Sequence, residues 1–244
     1  MRKFYCPSED IQDNQIIISE KSKVHHLRTV LRLKADDELL VFDERENTYR
    51  CIIKAIAKNV TLQIRNKEKA KKAAECLEIT VACAIQKKAR FDEIIDKLTQ
   101  LGVGKIIPLL TERVIVRLDR EDADPRLERW KRIALAASQQ SQRSALPVIE
   151  PPTSLKGLLV EAKEYDLRLI ATLGKVQKTL RQALAHKNPK RIIVLIGPEG
   201  DFTKAELALA KEAGFLAVSL GDLVLRVETA AVAVASFLKL YEDS

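Results

Sequence analysis

The sequence has little from which a stapled, metal-held or membrane-spanning protein is built. Its four cysteines, Cys6, Cys51, Cys76 and Cys83, form no CxxC pair and keep no regular spacing. That argues against a zinc knuckle or a disulfide framework, and for reduced thiols in a cytoplasm. Cys51 and Cys83 sit in apolar runs and read as small core residues. Histidine is scarcer still. His25, His26 and His186 are thin material for a metal hydrolase, and no metal is expected. No stretch of about 18 apolar residues occurs, and the amino terminus lacks the apolar segment of a signal peptide. The expectation is a soluble, cytoplasmic protein with no membrane partner. No GxGxxG follows a strand and no GxxxxGK followed by Ser or Thr occurs, so neither a dinucleotide site nor a phosphate-cradling loop is supported. HExxH and GxSxG are absent as well.

What is present is apolar and basic. With 244 residues, 46% of them hydrophobic, the chain can build one large domain or two modest ones. Lys and Arg number 42 against 34 Asp and Glu, a net charge of +8. Such an excess suits a polyanion, because basic side chains on phosphates release condensed counterions. A merely basic, soluble surface is the plainer alternative. Residues 1–75 are the most basic third, although no region is a polycationic tail.

Residues 1–66 read as β-rich. Ile16–Ile18, Glu38–Phe42, Thr48–Ile56 and Val60–Ile64 are short β-branched or aromatic runs between polar clusters. Between the first two, Glu20–Leu33 is helix-like after a Ser19 cap, with Val24, Leu27, Val30 and Leu31 at helical spacing. Short strands plus one helix suggest a small barrel. The charged stretch 66–75 has no hydrophobic face and reads as a solvated linker, so the expected domains are 1–72 and 73–244. From Leu77 strands and helices alternate: Ile79–Ile85, the amphipathic Arg90–Leu101 stopped by Gly102, Lys105–Leu110, a helix opened by Asp124 and Pro125, then Leu167–Ala171, Arg191–Ile196 and Ala217–Leu220. Thr203 and Glu206 form a capping box for a helix closed by Gly214, and a last helix covers 228–241. This alternation implies an α/β fold with a mostly parallel sheet and helices on both faces.

In such sheets ligands sit at the carboxyl ends of strands. Two loops there stand out. Gly197-Pro198-Glu199-Gly200-Asp201 follows an apolar strand; its glycines admit close backbone approach, Pro198 stiffens the turn, and Glu199 offers an acceptor. A tight connection with a solvated Glu199 is the alternative. Residues 220–230 join a glycine turn to an apolar triplet and a helix start, able to wall a flat ring. There Thr229 or Glu228 would cap the helix, or Arg226 would simply pair with Glu228.

LIGPEGDFTKAE and LGDLVLRVETAAVA resemble the knotted SPOUT-class RNA methyltransferases, specifically the RsmE family, which methylates N3 of a uridine in small-subunit ribosomal RNA. KKARFDEIIDKLTQLGVGKIIPLLTER, ERWKRIALAASQQSQRSALPVI, HHLRTVLRL and the opening MRKFYC are similar to further family segments, in order along the chain. The resemblance implies a PUA-like front barrel, a SPOUT catalytic domain with a trefoil knot, a homodimer, and S-adenosylmethionine bent into the knot. It implies a role in ribosomal RNA processing and ribosome biogenesis, on RNA within the assembled small subunit. The family's usual second glycine after GPEG is Asp201 here, an acidic residue of the second helix block is Gln139, and an Arg-Asn pair is Arg143-Ser144.

Carried onto this sequence, the cofactor site comprises Thr172, Leu173, Gly197, Pro198, Glu199, Gly200, Leu220, Gly221, Leu225, Arg226, Glu228, Thr229 and Ala230. The turns around Gly197 and Leu225 should form one pocket. Uridine N3 carries a proton, so a group must help it ionise. Arg226, or an arginine of a second protomer such as Arg2, would stabilise the charge on the uracil carbonyls. Glu199 or Glu228 would order the site or take the proton through water. RNA grip is expected from Arg2, His26, Arg28, Arg32, Lys87, Lys88, Arg90 and Arg143. The alternatives are a non-catalytic RNA-binding ribosome-assembly factor that keeps the fold, and an α/β enzyme acting on small phosphorylated molecules.

Overall fold

The computed structural model describes residues 3–242 except 13, 46, 70–76, 87, 115–119, 175–177 and 186–187. Contacts divide the chain into two compact units, Met1–Ala74 with Ser138–Leu146, and Glu75–Ala137 with Pro147–Ser244. The boundary expected between 72 and 73 lies outside the described residues, as do Arg2, Cys76, Lys87 and His186.

In the first unit β1 (Lys3–Tyr5), β2 (Ile11–Gln12), β3 (Gln15–Ile18), β4 (Glu38–Phe42), β5 (Asn47–Ile56) and β6 (Val60–Lys69) form a half-barrel sheet in the order β1-β4-β5-β6-β3-β2. All pairs are antiparallel except β1 on β4. Period-two alternation sets the inner face: Tyr49, Cys51 and Ile53 of β5 and Val60, Leu62 and Ile64 of β6 are buried, whereas Arg50 and Arg65 are exposed. α1 (Lys21–His25) continues into a wider π turn, His26–Val30, and adds Val24 and Leu27 to this core. The expected Ser19 cap is corrected: Glu20 occupies the cap position and makes no side-chain cap bond. The linker reading is corrected over Asn66–Lys69, which extend β6 and pair with Asn47–Arg50. Asn66, Lys67 and Glu68 are exposed, so backbone pairing holds this part of the strand without an apolar face. The turn from β4 into β5 is stapled by the buried Asp43, whose carboxylate accepts from Arg45 N, Asn47 N, Asn47 Nδ2 and Tyr49 OH at 2.8–3.0 Å.

In the second unit β7 (Glu78–Ala84), β8 (Lys105–Leu110), β9 (Val148–Ile149), β10 (Thr153–Ser154), β11 (Leu167–Ala171), β12 (Arg191–Ile196) and β13 (Leu216–Val218) form a sheet whose pairs are all parallel. The order is β10-β8-β7-β12-β11-β13, with β9 also on β8. Both faces are covered, because alternate side chains enter different cores. Ile79, Val81, Ile192, Val194, Leu167 and Leu169 pack with α2 (Lys88–Gln100), α3 (Arg120–Gln140), α5 (Leu180–Leu184) and α7 (Val227–Glu242). Ala82, Ile107, Leu109, Ile170, Ile193 and Leu195 pack with α4 (Leu155–Glu161) and α6 (Lys204–Glu212). Continuous apolar runs in the sequence reflect this double coverage.

α3 begins before the expected Asp124 cap and carries Pro125 inside it. Proline forfeits one backbone bond and crowds the preceding turn, yet the helix continues, anchored by Trp130 and Ala134 in the core. Its last residues group with the first unit, where Lys3 Nζ donates to Ser144 Oγ at 2.7 Å.

Candidate active site

β12 lies on the inner side of β11 and β13 on its outer side, so successive crossovers reverse direction around β11. Such a switch point leaves a crevice at the carboxyl ends of the strands. A cleft occupies it, lined by Ala171, Thr172 and Leu173 after β11, by Ile196, Gly197, Pro198, Glu199 and Asp201 after β12, and by Leu220, Gly221, Leu223, Leu225, Val227 and Ala230 after β13 and along the start of α7.

Local chemistry fixes each wall. At Gly197 an added Cβ would stand 2.9 Å from two ring carbons of Phe202, so a side chain there collides with the core. Asp201 N donates to Pro198 O at 2.9 Å, closing the turn, and Asp201 itself has φ +61°. Its Oδ2 accepts from Thr172 Oγ1 at 2.6 Å and Leu173 N at 2.9 Å, and its Oδ1 accepts from Phe202 N at 2.8 Å. Arg113 Nη1 donates to the Gly200 carbonyl. Glu199 Oε1 pairs with Arg90 Nη1 at 2.7 Å, both side chains about half exposed. Thr203 and Glu206 complete the expected capping box, and the buried Glu206 also accepts from Glu112 N at 2.9 Å. Gly221 has φ +117°, a conformation that glycine alone adopts without strain. Ser219 Oγ accepts from Gly221 N at 3.1 Å.

The turns around Gly197 and Leu225 thus share one cleft. Of the residues expected around a cofactor, Thr172, Leu173, Gly197, Pro198, Glu199, Leu220, Gly221, Leu225 and Ala230 line it, whereas Gly200, Arg226, Glu228 and Thr229 do not. Arg226 is exposed, just before α7, with its carbonyl accepting from Ala230 N at 2.8 Å. Since α7 begins at Val227, the expected cap at Glu228 or Thr229 is corrected; both lie in its first turn. No Arg226–Glu228 ion pair forms among the described residues. Glu228 keeps a buried carboxylate oxygen, Oε2, without a hydrogen-bond partner. Burial, and then the nearby Glu228 charge, push the Cys83 thiol well above its ordinary range.

The residues expected to grip RNA are spread over both units. His26 is half-buried and its ring stacks at 6.4 Å from Phe4, while Arg28 and Arg32 are exposed. Arg143 is half-buried, and desolvation lowers its guanidinium to about 10. Arg90 is held by Glu199. Arg2, Lys87 and the Lys88 side chain lie outside the described residues.

The residues carried over for the cofactor omit Ala171, Ile196, Asp201, Leu223 and Val227, although the last three stand in the two loops singled out. Ile196 and Ala171 end their strands, so the rule that ligands meet strand ends was signal enough. Asp201 was visible as the end of the Gly197–Asp201 loop and as a departure from a glycine, but not its bridge to Leu173 and Thr172, which stand 28 and 29 residues away.

A family model for an RNA methyltransferase domain matches residues 72–239, and one for an RNA methyltransferase PUA domain matches residues 18–65. The chain is 32% identical over 240 residues to the ribosomal RNA small subunit methyltransferase E of Rickettsia conorii, covering 98% of this chain and 95% of that one. It is 34% identical over 226 residues to the enzyme of the same name from Synechocystis, covering 91% and 72%. A methyltransferase E from Neisseria gonorrhoeae, solved bound to S-adenosyl methionine, superposes with a TM-score of 0.83 at 30% identity, covering 99% and 98%. A Legionella pneumophila protein solved with the bound cofactor SAM gives 0.84 at 30%, covering 98% and 97%. With its half-barrel, its parallel sheet and a cleft at the strand ends, the chain belongs to the ribosomal RNA small subunit methyltransferase E family.

Proposed function

We propose that the protein transfers the methyl group of S-adenosylmethionine to N3 of a uridine in small-subunit ribosomal RNA. One observation carries the reading: a single cleft at the strand ends, walled by Ile196, Leu220, Leu225, Val227 and Ala230 and edged by the backbone of Gly197 and Gly221. Apolar walls with a few backbone polar groups suit a flat ring on a polar tail. The cofactor-bound relatives from Neisseria and Legionella support the same donor. The proposal includes a PUA-like RNA-gripping domain over 1–72, a knotted methyltransferase domain over 73–244, and a homodimer.

When bound, S-adenosylmethionine supplies an electrophilic methyl group on a sulfonium. The chain's task is to align the acceptor, which supplies roughly 7–11 kcal/mol of the barrier, and to manage the N3 proton. Arg226, exposed between the cleft residues Leu225 and Val227, stabilises negative charge on the uracil carbonyl oxygens. Glu199, at the cleft wall, or Glu228, with its unpartnered Oε2, receives the proton through water. His26, Arg28 and Arg32 hold RNA phosphates, and Arg90 and Arg143 add contacts.

The test is mass spectrometry of small-subunit RNA from cells with and without the protein. A methylated uridine lost on deletion and restored by the wild-type chain is expected; Arg226→Ala should slow single turnover by about a hundredfold. Unchanged RNA in the deletion strain defeats the proposal. RNA binding without any S-adenosylmethionine binding would point to an assembly factor.

A further inference from the structure

We propose that Asp201 is a positioning residue: its carboxylate ties the loop after β12 to the loop after β11 and so presets the cleft for the methyl donor. The inference rests on the reading of this cleft as the donor site, and deepens it.

The backbone comes first. A φ of +61° is a left-handed conformation, open to glycine and, among other residues, best tolerated by Asn and Asp. Glycine would fit this position with less strain, yet the chain carries an acid. The side chain explains why. One oxygen, Oδ2, receives both the Thr172 hydroxyl and the Leu173 amide, and the other receives Phe202 N. Hydrogen bonds to an ionised acceptor are short and strong, as the 2.6 Å contact to Thr172 shows. Thr172, Leu173 and Asp201 all line the cleft.

The same carboxylate also bears on the core. Phe202, whose amide it holds, is buried, and its ring is what denies a side chain to Gly197. Asp201 therefore sets three things together: the β11 loop, the end of the β12 turn, and the ring beneath Gly197. On its other side the β11 loop is tied to β13 by Thr172 N donating to Val218 O at 3.2 Å. Without the Asp201 bridge, among the described residues that contact and Gly174 N to Thr172 Oγ1 at 3.3 Å are the hydrogen bonds left to residues 172–174. A loop left loose must be ordered at the moment of binding, and that ordering weakens affinity. Leu173 is exposed and Thr172 half-buried, so water can satisfy both donors in the unliganded variant. The effect should fall on the donor and spare the fold.

Asp201→Gly separates the two roles, because it relieves the left-handed strain while removing the bridge. In the full chain this variant should melt within a few degrees of wild type. Its Kd for S-adenosylmethionine by calorimetry should rise by about tenfold, the loss of a charged hydrogen bond. KM for the donor should rise with kcat at saturating donor unchanged. Asp201→Asn, which keeps one carbonyl acceptor, should recover part of the affinity. Hydrogen exchange of the Leu173 amide should accelerate in Asp201→Gly with no ligand present. If wild type binds the donor and Asp201→Gly binds it equally well, or if Leu173 exchange is unchanged, the inference is overturned. If wild type binds no donor but Leu173 exchange still accelerates, the bridge stands and the donor reading falls.

Discussion

Asp43 and Asp201 do the same work in two regions of the molecule, and their reach differs. In the first unit Asp43 collects its four donors from Arg45, Asn47 and Tyr49, within six residues of itself. It freezes one turn of an antiparallel half-barrel. In the second unit Asp201 gathers donors from its own turn and from a loop 28 and 29 residues away. The topology dictates the contrast. Hairpins bring neighbours in sequence together, whereas parallel strands need crossovers, so their loops meet at one end of the sheet from distant parts of the chain. A carboxylate in a hairpin can only stabilise a turn; at the end of a parallel sheet it can shape a cleft.

The largest effects should come from the two cores, which lets each region be weakened alone. Leu62→Ala in the half-barrel and Leu98→Ala beneath the parallel sheet should each cost about 2–5 kcal/mol in urea unfolding, since both side chains are fully buried. At temperatures where the variants remain folded, neither should alter donor affinity, because neither residue lines the cleft. Next, Asp43→Ala should cost about 1–3 kcal/mol by leaving buried donors unpaired, with the Kd for S-adenosylmethionine unchanged. A shift in that Kd would break the contrast with Asp201.

Gly197→Ala is expected to cost about 1–3 kcal/mol through overpacking, because the new Cβ meets the Phe202 ring at 2.9 Å. Unlike Asp43→Ala it should also weaken the donor, and a loss of stability with affinity intact would show that the turn is merely structural. The smallest effect concerns the thiols of the first unit. Burial pushes Cys6 and Cys51 up from 9.0 to about 12. A folded pKa raised above the unfolded value gives stability that is complete below about pH 9 and fades as pH climbs toward 12. Alkylation of native protein at pH 8 should therefore spare both residues, and rapid labelling would contradict their burial.

The sequence made some of this visible and hid the rest for physical reasons. Double burial leaves unbroken apolar runs, so Arg191–Ile196 and Lys105–Leu110 were readable as strands to the residue. The capping box of Thr203 and Glu206 was equally plain, because both partners lie within one turn. β1 was not legible: Lys3–Tyr5 is three residues long and is held by pairing with β4. The end of β6 was not either, since Asn66–Glu68 are exposed and extend the strand by pairing with β5 without an apolar face. Nor could the grouping of Ser138–Leu146 with the first unit be read from local pattern. In the site, glycine turns announced two walls of the cleft, while the wall at Thr172 and Leu173 had no motif of its own and rested on position and hydrophobicity.

Calorimetric titration of the full chain with S-adenosylmethionine, beside Ala230→Phe, addresses the cleft most directly. Ala230 is buried on α7 and lines the cleft, so a phenyl ring there fills the space. One saturable site per chain in the wild type, abolished in a variant with an unchanged circular dichroism spectrum, is the predicted result. No heat from the wild type, or equal binding by Ala230→Phe, would contradict the account.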